Sequence, residues 1–217
     1  MDVINKELQI YAEKHTTTET PLLKRINRDT HAQILKPRML SGQLQGRLLS
    51  MISCMIRPRV ILEIGTYTGY SALCLAEGLR EDGKLITIDV NEELQQRVSG
   101  YFREANLHDR IDFRIGHAAE IIPALNEKFD LVFIDADKEN YARYFDLVID
   151  HANLNGFILA DNVLWSGKVL DEKPDKDTRA IVDFNAKVQQ DRRVENVLLP
   201  VRDGMMLMRK VGESVDR

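Results

Sequence analysis

The sequence predicts an α/β chain: a doubly wound sheet of five parallel strands plus a C-terminal antiparallel hairpin, seven strands in all, behind N-terminal helices. Three observations carry that prediction. From residue 59 onward, apolar runs of strand length alternate with amphipathic stretches, as successive βα units do. One of those runs, Val60-Ile-Leu-Glu-Ile64, passes directly into a glycine turn and a helix. The last two runs are separated only by Pro200-Val-Arg-Asp-Gly204, too short for a crossover helix, so they pair antiparallel.

Taken in order, residues 2–56 read as helices with breaks near Pro21, Pro37 and Pro58. Parallel strands follow near 60–64, 84–89, 111–115, 130–134 and 155–160, alternating with helices near 70–80, 91–105, 118–125 and 138–151. Gly83 and Gly156 stand at strand starts, where the chain must turn. A charged loop, Leu170 to Asp177, leads into a helix near 177–190, and the hairpin strands lie near 194–199 and 204–210. No internal repeat or low-complexity segment interrupts the pattern. The expectation is one domain over 1–217, with a helical extension at 1–58 and a Rossmann-like core at 59–217.

Composition is that of a globular protein, 44% hydrophobic and 29% charged. A net charge of −4 gives the whole chain no electrostatic footprint for nucleic acid or an anionic membrane. A local basic face stays open. Met1 to Thr20 has no apolar h-region and no run reaches transmembrane length, so no secretory signal or membrane association is expected. Cys54 and Cys74 lie in apolar helical segments and read as two buried free thiols, with a disulfide as the alternative. The expectation of a cytoplasmic protein rests on those free thiols.

The glycine turn is Gly65-Thr-Tyr-Thr-Gly69, and Tyr67 stands where G-x-G-x-x-G needs its second glycine. A side chain there hinders close backbone approach to a pyrophosphate. The pocket therefore suits a nucleoside ligand without phosphates, and S-adenosylmethionine is the candidate. Ser71, in the first helical turn, offers a hydroxyl to a ligand carboxylate. Asp89 ends the next strand, 24 residues after Gly65, where a carboxylate accepts from ribose hydroxyls or else caps the following helix. Glu63 is a carboxylate in an apolar strand. It serves either the ligand's sulfonium and amino group or a buried ion pair with an N-terminal helix.

Two further apolar runs expel polar oxygens at their C-terminal ends: Asp135-Ala-Asp-Lys138 and Asp161-Asn162. In an open α/β sheet that edge binds ligands. Asp135, Asp161 and Asn162 offer oxygen only, which suits a hard cation, Mg²⁺ first, with Ca²⁺ or Mn²⁺ compatible. Lys138 beside a dication would serve as a general base toward a hydroxyl, or else is a solvated surface charge. Trp165, the single tryptophan, follows the Asp-Asn pair and reads as a wall for an aromatic substrate or as core.

On these residues the chain resembles the cation-dependent O-methyltransferases of the caffeoyl-CoA and catechol O-methyltransferase family. The likeness spans roughly residues 30–210 and also takes in Met39, Gln45-Gly46 and Leu199-Pro-Val-Arg-Asp-Gly204. It implies a seven-strand sheet, a homodimer, S-adenosylmethionine and a divalent cation. It also implies that Met39, Glu63, Gly65, Ser71, Asp89 and Ala118 line the cofactor site, to which the turn residues Thr66 and Tyr67 and the strand-end Asp135 belong. Asp135, Asp161 and Asn162 would hold the metal, and Lys138 would match the family's proposed base. One segment departs: Asp177-Thr-Arg-Ala-Ile181 stands where plant members acting on coenzyme A esters resemble a tyrosine-bearing pattern, which fits a free phenol instead. The expected reaction is methyl transfer to one oxygen of a catechol-like small aromatic. Two readings compete: a transfer-RNA hydroxyuridine acceptor, served by Lys24, Arg25, Arg28, Lys36 and Arg38, and a nicotinamide-dependent oxidoreductase, against which the missing glycine argues.

Overall fold

The structure is a computed structural model that describes residues 5–212, so residues 2–4 of the expected N-terminal helical stretch lie outside it. Helices α1 (Lys6–Lys14), α2 (Pro21–Gln33) and α3 (Gly42–Ile56) come first. The breaks fall at the prolines for a physical reason. Pro21 opens α2 at a position whose N–H has no helical partner, and the Thr20 hydroxyl caps the same end by accepting from Leu23 N.

Seven strands form one mixed sheet: β1 (Val60–Ile64), β2 (Lys84–Asp89), β3 (Ile111–Ile115), β4 (Phe129–Ile134), β5 (Ala152–Asp161), β6 (Val194–Leu199) and β7 (Met205–Lys210). The described residues divide into two compact units, one of residues 10–117 and the other of residues 5–9 and 118–212. Within the first, β2 pairs in parallel with both β1 and β3. The first unit also holds α4 (Tyr70–Ala76) and α5 (Gln95–Glu104). Within the second, β4 and β5 are parallel, and β7 pairs antiparallel with β5 on one side and β6 on the other. Helices α6 (Ala118–Ile121), α7 (Tyr141–Ile149) and α8 (Lys176–Gln190) complete it. The fold class read from the sequence, five parallel strands and a reversed hairpin, is the one observed.

The central strands read as nearly continuous apolar runs because they are buried on both faces. Ile61, Leu62, Leu85 and Ile86 in one unit and Leu131, Phe133, Ile158 and Leu159 in the other are fully buried. Each such side chain contributes about 1.5–3 kcal/mol. Two elements differ from expectation. Helix α4 ends at Ala76 rather than near residue 80, because at Gly78 the chain meets the α3 backbone: a Cβ there would lie 2.1 Å from the Ser53 carbonyl carbon. Strand β5 starts at Ala152, three residues earlier than read, with an irregularity before Gly156 that lets Asn153 donate to Asp130 Oδ1 at 2.8 Å. The cysteine expectation needs correction. Cys74 is buried and Cys54 is exposed, both free, because Cys54 falls on the outward side of α3. Among the described residues no helix is long and apolar enough to cross a membrane.

Candidate active site

The glycine turn sits within residues 10–117 and is held by backbone and carboxylate together. Gly65, Tyr67 and Gly69 all have positive φ, at 103°, 48° and 77°. Gly65 N donates to Ile88 O at 2.9 Å and Gly69 N to Thr66 O at 2.8 Å, so the turn is anchored to β2 and closed on itself. A Cβ on Gly69 would lie 2.9 Å from Phe102 Cε1, so this glycine lets α5 pack against the turn. At the position of the missing glycine, Tyr67 N donates to Asp89 Oδ2 at 2.7 Å. That N–H would face a phosphate in a dinucleotide site, and here a carboxylate takes it.

Asp89 is not itself the cap of the following segment, which is Asn91; its carboxylate instead joins the glycine turn to the turn after β2. Oδ1 accepts from Asn91 N at 2.9 Å and organises the turn after β2, where Asn91 in turn caps a short 3₁₀ segment. Each carboxylate oxygen can accept more than one hydrogen bond, so these contacts are compatible with a ribose partner. Glu63 is fully buried and accepts from the Thr87 hydroxyl at 2.5 Å. The Thr66 and Thr87 hydroxyls lie 2.5 Å apart. Thr87 spends its one hydrogen on Glu63, so Thr66 donates to Thr87, and a single chain of hydrogen bonds joins the turn to the strand carboxylate. Ser71 is buried in the first turn of α4. Met39 lies in a 3₁₀ turn, Pro37–Met39, and is 55% exposed; the Tyr67 hydroxyl reaches the carbonyls of Leu35 and Lys36 just before that turn, 3.3 Å from each. Ala118 opens α6 in the other unit and is buried.

The oxygen constellation lies wholly within the second unit. Strands β4 and β5 end side by side, with Ile134 opposite Ala160, so the residues that follow emerge together. Lys138 starts a 3₁₀ turn that leads into α7, and its side chain is only 10% exposed. Its Nζ donates to Asp135 Oδ1 at 3.2 Å, to Asn162 Oδ1 at 2.9 Å and to the Tyr141 hydroxyl at 2.5 Å. Oxygens from two strand ends therefore converge on one cationic atom. Asn162 holds its place in the left-handed region, at φ 59°, which asparagine tolerates better than most residues. Asp161, the last residue of β5, is buried. The donor chemistry fits a hard cation, whose remaining positions would be filled by water or substrate oxygens, since no three acidic, histidine or cysteine residues cluster among the described residues.

Above these oxygens the 162–167 loop is unusually contorted. Trp165, Ser166 and Gly167 follow one another with positive φ, at 47°, 56° and 79°. Such a path is held from outside, by the turn of the C-terminal hairpin. Leu164 N donates to Asp203 O at 2.9 Å, Val163 N to Gly204 O at 3.2 Å, and Ser166 N to the Asp203 carboxylate. Gly204 is required by this close approach: a Cβ there would fall 2.5 Å from Leu164 Cγ. Burial pushes the Asp203 carboxyl above the ordinary range, against the Ser166 N–H and the nearby Lys138 charge, which pull it down. The Trp165 ring centroid stands 5.8 Å from Lys138 Nζ, and its indole N–H is buried without a hydrogen-bond partner among the described residues.

Sequence reasoning missed Tyr141 and Asp203. Tyr141 is fully buried, and burial raises its hydroxyl pKa well above the usual value. Its signal was the spacing of three from Lys138. Asp203 belonged to a quoted motif, but nothing local tied it to the tryptophan loop. Asp137, at the start of the 3₁₀ turn, makes no side-chain cap and instead accepts from the Tyr144 hydroxyl at 2.6 Å and from Asn140.

Residues 13–211 match the family model described as O-methyltransferase. A caffeoyl-CoA O-methyltransferase of Eucalyptus gunnii is 35% identical over 190 residues, which cover 82% of this chain and 76% of that protein. Among solved structures, an SAH-bound methyltransferase of Podospora anserina is similar with a TM-score of 0.88 at 28% identity, covering 96% of this chain and 97% of that one. The O-methyltransferase TomG of Streptomyces achromogenes, solved in complex with SAM, gives 0.86 at 26% identity over 95% and 96% of the two chains. With a family match that leaves out only the two ends, this chain belongs to the O-methyltransferase family.

Proposed function

We propose that the protein transfers the methyl group of S-adenosylmethionine to one oxygen of a vicinal dihydroxy aromatic, with Mg²⁺ or a similar hard cation at the strand-end oxygens. The observation that carries this reading is the convergence of Asp135 Oδ1 and Asn162 Oδ1 on the Lys138 ammonium. A pair of oxygens that hold one cation, with a buried carboxylate at Asp161 beside them in sequence, is chemistry for a dication and a chelating diol. The bound cation would lower the pKa of the phenol, as it lowers that of water.

The chain's own residues do the rest. Asp89, Glu63, Thr66, Tyr67 and Ser71, with Met39, Gly65 and Ala118, are the residues assigned to the methyl donor, which bound SAM or SAH in two similar structures supports. Lys138 Nζ receives the phenol proton as the oxygen–carbon bond forms and the sulfur–carbon bond breaks, a role for which it must arrive as the neutral amine. Reaction requires oxygen and methyl carbon held roughly 3–3.5 Å apart and in line. Trp165 supplies an aromatic face for the ring and a buried N–H for a polar substituent.

The Eucalyptus gunnii relative is named for caffeoyl-CoA, whereas the 177–181 segment here opens α8 without tyrosine, which favours a free phenol. Of the basic residues at 24–38, Arg25 pairs with Glu104 and Arg28 with Asp29, so the transfer-RNA reading has no specific observation in its favour. The deciding experiment measures labelled methyl transfer to free catechols and to caffeoyl-CoA, with Mg²⁺ and with chelator. Turnover of catechols that chelator abolishes is expected, and full activity in chelator would remove the cation from the reading.

A homodimer belongs to the same proposal. On α3, Leu44, Leu48, Met51 and Met55 fall on one face at helical spacing, and the two methionines are 59% and 77% exposed. A second copy of this face would cover them. Light scattering should give twice the chain mass, and Met51→Glu with Met55→Glu should halve it; a monomeric wild type would refute the dimer.

A further inference from the structure

We propose that Tyr141 is the positioning residue for Lys138: its buried hydroxyl, bonded to Nζ, fixes where the lysine head sits between Asp135 and Asn162. The inference rests on the reading of Lys138 as the residue that meets the acceptor hydroxyl. It adds the part that makes a flexible side chain precise enough for that task.

A lysine carries about 2 kcal/mol of rotamer entropy, so a free one spreads its head over many positions. The local backbone supplies the remedy. Lys138–Asn140 is a 3₁₀ turn, in which residues three apart eclipse, and this stacks Lys138 over Tyr141, with Nζ 4.6 Å from the ring centroid. The ring itself cannot move freely. It is fully buried and packs edge-on against Phe184, also fully buried, with centroids 5.4 Å apart at 83°.

The hydrogens then fix the direction of each bond. An ammonium only donates, so the Tyr141 oxygen accepts from Nζ at 2.5 Å. Its own hydrogen goes to a backbone carbonyl, that of Asp161 at 3.0 Å, with that of Ile134 at 3.4 Å. Those carbonyls belong to the last residues of β5 and β4, the strand ends that carry Asn162 and Asp135. Tyr141 thus references the lysine head to the same backbone that places the oxygens. With its hydrogen committed to a carbonyl, the Tyr141 oxygen can accept from Nζ whether the lysine is an ammonium or the neutral amine, since each has an N–H to give.

Four proteins test the proposal: wild type, Tyr141→Phe, Lys138→Met and the double variant, assayed with S-adenosylmethionine, Mg²⁺ and a catechol. Phe keeps the ring and its packing. Tyr141→Phe should lower kcat about tenfold with both KM values within about twofold, and should cost less than about twofold more once Lys138 is Met. A structural role would cost the same in both backgrounds. Independently of activity, acetylation of Lys138 in the metal-free protein, followed by peptide mass spectrometry, should speed up several-fold in Tyr141→Phe relative to other lysines. Wild-type kcat, additive losses, or an unchanged labelling rate would each overturn the proposal. Should Lys138→Met retain wild-type turnover, the reading of Lys138 as base fails instead, and the labelling rate alone decides whether Tyr141 positions the lysine. If Tyr141→Phe proves too unstable to assay, 4-fluorophenylalanine introduced at residue 141 repeats the cycle with the same outcomes.

Discussion

The glycine turn at 65–69 and the strand-end site at 135–165 solve the same problem, presenting polar groups at the end of a buried sheet, by different means. The turn is made mostly of backbone. Its shape follows from two glycines, a left-handed tyrosine and one carboxylate that accepts the tyrosine N–H. The strand-end site is made of side chains drawn from four segments: the end of β4, the entry to α7, the end of β5 and the hairpin turn at 200–204. A backbone device tolerates few residue types but needs few partners. A side-chain device admits many residue types and depends on every segment being in place.

That contrast can be broken most visibly at the strand ends. Lys138→Met should lower kcat about 10²–10⁴-fold, the range for removal of a general base, while binding of S-adenosylmethionine by calorimetry stays within about twofold. Retained turnover would mean that the strand-end oxygens act without it. At the turn the opposite pattern is expected. Gly69→Ala meets both a positive φ of 77° and Phe102 at 2.9 Å. It should destabilise the protein by about 2–3 kcal/mol in urea unfolding. Measured against Phe102→Leu alone, in which the overlap is relieved, the same glycine change should cost mainly the backbone term of about 1–2 kcal/mol, and no cost at all would show that φ costs nothing there.

The smallest effect concerns Asp203. Burial raises its carboxyl pKa, so between the ordinary carboxylate value and the raised one the folded protein binds more protons than the unfolded chain. Stability from this group is therefore present at lower pH and is lost as pH rises through that window. Asp203→Asn keeps an oxygen for Ser166 N and removes the charge. Its melting temperature should depend less on pH in that window and be no lower than wild type at pH 7. An unchanged pH dependence would sink the assignment.

The two regions also differ in how far they can be read from sequence. The turn was legible in detail because its determinants are consecutive: absence of the middle glycine is visible as Tyr67, and Asp89 follows at a fixed spacing. At the strand ends, Asp135, Lys138, Asp161 and Asn162 were legible because apolar strands expel polar residues where they end. Tyr141 was not. An aromatic at the start of an amphipathic helix reads as core, which it is, and only the 3₁₀ geometry turns its hydroxyl toward Lys138. Asp203 was hidden for a different reason, since its partners at 164 and 166 are nearly forty residues away. The exposure of Cys54 was misjudged because an apolar helix does not state which of its faces is covered.

By itself the sequence determined the order and type of the strands, the antiparallel hairpin, the phosphate-free glycine turn and the identity of the strand-end oxygens. These follow from local rules: periodicity, turn length and the cost of burying a charge in a strand. Only the tertiary structure decided that two of those oxygens converge on one ammonium, that a buried phenol fixes it, and that the hairpin turn holds the tryptophan loop in its left-handed path. Those are contacts between segments far apart in the chain, and no local pattern specifies the distance between groups that meet only after the sheet has formed.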